Sequence, residues 1–242
     1  MKSGKLARSR AMASMLQRVL EPEVMDTPEE ARDYDAMDHR SVNESFCHDL
    51  LAEGDIGPTV LDVGTGTALI PIALCGITPA LRVVGVDLGE HMLALGATNV
   101  ERAGLSGRIE LRKVDAKALP YDDGAFSSAI SNSIVHHIPD PRGVLREMFR
   151  VTARGGLLFV RDLARPTNQT AIDRLVERYG GDAPADPTKR GAFEHQRSLL
   201  RASLGAALTV DEVAAMAAEV GIVGCSVRMT SDRHWTLSAR KP

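Results

Sequence analysis

The chain has 242 residues, 44% of them hydrophobic and 25% charged, with a formal net charge of −3. That length buries one sizeable core and is short for two full domains, and the slightly acidic balance excludes a general electrostatic attraction to nucleic acid or to an anionic membrane. No apolar run reaches the length of a bilayer span, and "AMASMLQRVL" is broken by Gln17 and Arg18 before it could form a signal-peptide core, so a soluble cytoplasmic protein is expected.

In chain order, residues 1–53 read as an N-terminal helical cap of two or three helices. Its basic residues Lys2, Lys5, Arg8, Arg10 and Arg18 read as a solvated tail leading into an amphipathic helix. The prolines Pro22 and Pro28 of "EPEVMDTPEE" break the chain and start a new helix at Asp26 or Thr27. Residues 54–242 follow as one α/β domain. Strands are predicted at "TVLDV" (59–63), "LRVVGVD" (81–87), "RIELRKV" (108–114), "FSSAIS" (126–131) and "LLFVRDL" (157–163). Helical periodicity fills 68–75, 90–103 and 142–151, the last with Val144, Leu145, Met148 and Val151 in one stripe. Strands this apolar, alternating with helices, indicate a parallel sheet covered on both faces. Beyond Leu163 a helical lid insertion is expected over about 164–206, containing the polar loop "YGGDAPADPTKRG". "GIVGCSVRMT" and "HWTLSARK" then read as two strands joined at "SDR", a hairpin that closes the sheet antiparallel.

The first strand runs through Asp62 into a turn with Gly64 and Gly66 and then straight into a helix, with no lysine or arginine anywhere in "VLDVGTGTALIPIAL". In an open parallel sheet, ligands bind beyond the carboxyl ends of the strands, and a glycine turn lets them approach the backbone closely. Asp87 ends the second strand, where a carboxylate can accept from both hydroxyls of an adenosine ribose. A dinucleotide fingerprint would carry glycine or alanine where Leu69 stands, and a phosphate loop would carry a lysine. An adenosine ligand without phosphates remains, of which S-adenosylmethionine is the commonest form.

"VLDVGTGTALIP", "VVGVDLGEHML", "KVDAKALPYDDGAFSSAISNSIVHHIPDP" and "VLREMFRVTARGGLLFVRDL" resemble, in order, the successive motifs of class I S-adenosylmethionine-dependent methyltransferases that act on quinones and other small molecules. The resemblance runs from about Gly57 to Leu163. It implies a Rossmann-like, seven-stranded, mostly parallel sheet with an antiparallel final hairpin, helices on both faces and an N-terminal helical cap. It further implies that Gly64 and Gly66 present bare backbone to the methionine end of the cofactor, with Asp62 holding the turn or reaching the amino group through water. Asp87 would take the ribose, Leu88 one face of the adenine, and Met92 either that wall or the helix core. Asp115 would accept from the adenine amine beside the Ala116 amide, and Asn132 would line the methionine portion. Tyr34 resembles the tyrosine with which relatives close the cap over the cofactor, or else packs between helices. Two departures fall in the backbone: Thr65 where many relatives have cysteine, and "TARGG" in what reads as a turn before the fifth strand.

The activated methyl group needs an in-line nucleophile in a dry site and, where the nucleophile carries a proton, a base. The candidates near the carboxyl edge are His136 and His137, at least one of them expected to be structural, with Arg161 and His234. Arg161 and Arg233 could bind an anionic acceptor, or Arg161 could pair with Asp162 instead. The cap adds Asp38, His39 and Asn43. The acceptor is read as a small molecule with an O, N, S or C nucleophile, a thiol needing the least help from a base. An RNA methyltransferase, supported by the basic N-terminal cluster alone, and a non-catalytic cofactor-binding module remain as alternatives. Cys47, Cys75 and Cys225 are far apart, read as buried reduced thiols, and no metal site is expected from ligand spacing.

Overall fold

The computed structural model describes residues 16–21, 26–37 and 40–242. Lys2, Lys5, Arg8, Arg10, Asp38 and His39 therefore lie outside the described residues. One seven-stranded sheet has the order β3-β2-β1-β4-β5-β7-β6. Its central strands are β1 (Thr59–Val63), β2 (Arg82–Asp87), β3 (Ile109–Lys113), β4 (Phe126–Asn132) and β5 (Thr152–Leu163), all parallel. The closing hairpin, β6 (Ser226–Met229) and β7 (His234–Arg240), is antiparallel as expected, with β7 inserted against β5.

Helices α3 (Leu69–Ile77), α4 (Glu90–Arg102), α5 (Arg142–Val151) and α8 (Val210–Glu219) flank the sheet, while α6 (Gln169–Tyr179) and α7 (Arg190–Ala206) lie in the chain between β5 and α8. The α5 stripe is fully buried, as its periodicity predicts. Two apolar clusters result, one on each face: Leu145, Met148 and Trp235 belong to one, and Phe46, Leu50, Leu74 and Phe159 to the other. No helix among the described residues is long and apolar enough to cross a membrane.

In the cap, α1 (Pro28–Asp35) begins at Thr27, whose hydroxyl accepts from the Glu30 amide while the Glu30 carboxylate accepts from the Thr27 amide. It docks on α4 through the Asn99 amide, which donates to Asp35 Oδ1 at 2.8 Å. Helix α2 (Arg40–Ala52) covers the other end of the same face with Phe46 and Leu50.

Three expectations are corrected. Residues 16–20 are not helical and Arg18 is not solvated: its guanidinium donates to the carbonyls of Ala206, Pro139, His136 and Ile138. "TARGG" is not a turn, because β5 already begins at Thr152 opposite Phe126 and passes an irregularity with Gly155 at φ +74° before regular pairing resumes at Leu157. Cys225 is only half-buried, whereas Cys47 and Cys75 are buried, and all three are free thiols.

Candidate functional site

A cavity opens beyond the carboxyl ends of β1, β2 and β4, under α1. The turn after β1 forms its floor. Gly64 has φ +74° and its amide donates to the Val86 carbonyl; a Cβ there would come within 2.0 Å of Ile134 Cγ2. Gly66 has φ +53°, and a Cβ on it would project towards the cavity with only the Tyr34 ring edge nearby, at 3.8 Å. Both positions demand glycine, one for packing and one for ligand access.

Asp87 closes the end of β2 and faces the cavity. Its Oδ2 accepts from the Gly66 amide and Oδ1 from the Gly89 amide, both at 2.8 Å. The carboxylate thus ties the glycine turn to the start of α4 and keeps further lone pairs for a ligand. Leu88 and Met92 form an apolar wall beside it, and Asp115 and Ala116, following β3, line the next stretch. Asn132 at the end of β4 also lines the cavity, with its Oδ1 buried and unsatisfied. A buried acceptor without a donor is a feature that a bound ligand resolves.

Tyr34 of α1 lies over this floor. Burial of its hydroxyl, then the Asp62, Asp87 and Asp35 carboxylates, push its pKa up to about 12, although the residue as a whole is 38% exposed at the cavity mouth. Asp62 and Thr65 do not line the cavity but lie buried beneath it. Burial and the like charge of Asp87 raise the Asp62 pKa to about 7.

The candidate acid–base residues separate in space. His137 lines the cavity. His136 lies behind it, 4% exposed, with Nδ1 2.5 Å from Asp162 Oδ1 and its backbone amide donating to Asp162 Oδ2. Burial works against the imidazolium, but Asp162 and Glu21 outweigh it and hold the His136 pKa above its ordinary range. Asp162 is held low by the same pairing, which overcomes its own burial.

Arg161 and His234 do not line this cavity. The β5 pleat sends Arg161 to the α2 face, where Nε donates to Thr236 Oγ1, NH2 to Asp49 Oδ2 at 2.6 Å, and the guanidinium lies over Phe46 and Phe159. The Arg161–Asp162 pairing considered from sequence does not form, because adjacent strand residues point to opposite faces. The β6–β7 turn does lie on the carboxyl edge, since the Ala164 amide donates to the Arg233 carbonyl. There Arg233 stacks on the Tyr179 ring of α6, and His234 Nδ1 contacts Ser231 Oγ. Burial and then Arg233 lower the His234 pKa to about 4, making it a poor base at neutral pH.

Sequence reasoning missed Ser133 and Ile134, which line the cavity after β4, and Glu21, which reaches both histidines. Ser133 adopts φ +61°, a left-handed conformation that a propensity reading does not assign to serine.

Residues 61–160 match the family model of a methyltransferase domain. That stretch is similar to a methyltransferase domain. The domain is 35% identical over 109 residues to a ubiquinone/menaquinone biosynthesis C-methyltransferase of Geobacter sp. (strain M21), covering 45% of this chain and 46% of that protein. It is 33% identical over 126 residues to a phosphatidylethanolamine N-methyltransferase of Cereibacter sphaeroides, covering 51% of this chain and 60% of that protein. The matched stretch thus spans about half the length of these relatives. A crystal structure of a putative S-adenosyl-L-methionine-dependent methyltransferase from Methanococcus maripaludis shares the fold with a TM-score of 0.67 at 16% identity, covering 93% of this chain and 98% of that one.

The residues present fit S-adenosylmethionine. The Gly66 backbone is open to the cavity, Asp87 offers a charged acceptor, the Asn132 oxygen awaits a donor, and among the described residues no arginine lines the space, while the lining Lys117 pairs with Asp115.

Proposed function

We propose that this chain transfers the methyl group of S-adenosylmethionine to a small-molecule nucleophile bearing a dissociable proton. The observation that carries the reading is Asp87, a carboxylate at the end of β2 that faces the cavity while anchored by the Gly66 and Gly89 amides. Bound there, S-adenosylmethionine supplies a methyl group already activated on a sulfonium sulfur.

In this reading Asp87 accepts from the ribose hydroxyls, and Leu88 and Met92 enclose the adenine. Asp115 and the Ala116 amide meet the polar edge of that base, while Gly64, Gly66 and Asn132 receive the methionine end. Tyr34 covers the site and excludes water. Asp62 sets the charge beneath the turn, with Thr65 packed beside it. His137 is the base candidate that borders the cavity, so it receives the acceptor proton, and His136 is a positioning residue fixed by Asp162. Arg161 and His234 act through the fold rather than on the acceptor.

The small-molecule reading is favoured over RNA because Arg18 is consumed by backbone carbonyls and leaves the basic cluster on which RNA binding would depend. Incubation with methyl-labelled S-adenosylmethionine and fractionated cell extract tests the proposal. Label should enter a small molecule. Label entering RNA, or S-adenosylmethionine binding with no turnover on any fraction, would overturn it.

A further inference from the structure

Glu21, His136 and His137 come from two chain segments more than a hundred residues apart and place one ligand atom each within 4.8 Å of one another. A single carboxylate oxygen, Glu21 Oε1, lies 3.4 Å from His136 Nε2 and 3.2 Å from His137 Nδ1. Those two separations match the edges, about 3.3 Å, of a tetrahedron whose corners sit ~2.0–2.1 Å from a central zinc-type ion, and the third, between the two imidazole nitrogens, is within 4.8 Å. Two imidazoles and one carboxylate are also a donor set of borderline softness, suited to first-row transition ions rather than magnesium or calcium.

The groups behind the ligands are in place as well. His136 Nδ1 is engaged by Asp162 Oδ1 at 2.5 Å, which directs Nε2 towards Glu21; a carboxylate behind a ligating histidine fixes its ring and raises its basicity. Ser203 Oγ donates to Glu21 Oε1 at 3.1 Å and so orients that carboxylate. The segment leading to Glu21 is strapped down by the Val19 amide on the Gly205 carbonyl and by Arg18 on the carbonyls of His136 and Ile138. The three side chains are 11%, 4% and 20% exposed for Glu21, His136 and His137. Carboxylates of Glu21 and Asp162 balance the charge of a divalent ion, with Arg18 beyond them.

We infer that Glu21, His136 and His137 form a binding site for a divalent transition-metal ion, of the zinc or cobalt type, with its open coordination position directed at the methyl-donor cavity. The direction follows from His137, the member of the three that lines that cavity. The ligand for the open position is the oxygen or sulfur atom of the acceptor, which gives up its proton to water as it binds; with the ion present His137 holds the metal and does not take that proton. This deepens the methyl-transfer reading and rests on it for the identity of the ligand; the metal site itself does not depend on it.

The test is a titration of chelator-treated protein with cobalt(II) alone, followed by visible absorption at mildly alkaline pH, where a metal displaces imidazole protons. The expected result is saturation at one equivalent, with the intense absorption of a four- or five-coordinate ion, reversal by zinc(II) and none by magnesium. Glu21→Gln should weaken binding by more than tenfold and Ser203→Ala by less, while His48→Ala, an exposed histidine outside the cluster, leaves it unchanged. Retained S-adenosylhomocysteine binding by each variant checks its fold. No saturable binding, or the same affinity in Glu21→Gln as in the parent, overturns the inference and makes the cluster an ion-pair network only. Because the titration needs neither acceptor nor turnover, its failure is distinguishable from failure of the methyl-transfer reading.

Discussion

Asp62 separates folding from binding in a single substitution. Its carboxyl is 2% exposed, in the middle of the sheet between Gly85 and Ile130, and burial together with the Asp87 charge pushes its pKa up to about 7 from 3.8. Between those two values the folded protein keeps a proton that the unfolded chain has released, so stability is fully present below the lower value and falls as pH rises to the upper one. A window about three pH units wide, at ~1.36 kcal/mol each, makes the ionised carboxylate cost on the order of 4 kcal/mol above pH 7. Asp62→Asn preserves the shape and cannot ionise. In the protein without cofactor it should gain about 2–4 kcal/mol over the parent near pH 8, allowing for an imperfectly matched amide, and lose that advantage towards pH 4. Denaturant unfolding across this pH range measures it. An advantage of equal size at pH 5 and pH 8 would refute the reasoning, because only the titrating carboxylate supplies pH dependence. Calorimetry with S-adenosylhomocysteine adds a second readout: if the carboxylate answers the ammonium of the cofactor, the stabilised variant binds more weakly, a trade of function against stability.

Asp87→Ala should weaken S-adenosylmethionine binding by about 1.5–3 kcal/mol, the scale of hydrogen bonds to a charged group, and also lower stability because the Gly66 and Gly89 amides lose their acceptor; unchanged affinity by calorimetry in a folded variant removes the assignment. Arg161→Ala should cost about 2–3 kcal/mol of stability, less than a fully buried pair because Asp49 is 41% exposed, and leave cofactor affinity within ~0.5 kcal/mol. A turnover loss at unchanged stability would return Arg161 to the acceptor site. Arg18→Ala leaves four carbonyls without their donor and should lower stability by about 1–3 kcal/mol, with faster proteolysis before Asp26; an unchanged unfolding midpoint argues that the segment is not strapped as described.

The cavity itself was legible in the sequence because its determinants are local. A strand that ends in a glycine turn must expose backbone at its carboxyl end, a carboxylate closing the next strand must stand beside that turn, and both follow from periodicity and backbone sterics without knowledge of distant contacts. The position of the β6–β7 turn on the same edge followed likewise from strand direction. Which side chains face the cavity was a different matter. Arg161 and Asp162 are neighbours in sequence, yet the pleat sends one to α2 and the other to His136, and only the packed helices decide that the first is sealed off. Arg18 looked like a member of a solvated tail and Glu21 carried no signal at all, because their partners are more than a hundred residues away, at His136, Ser203 and Ala206. Such contacts leave no periodic trace. They arise when burial of a segment forces each polar group to find a partner among whatever the tertiary structure has brought alongside it.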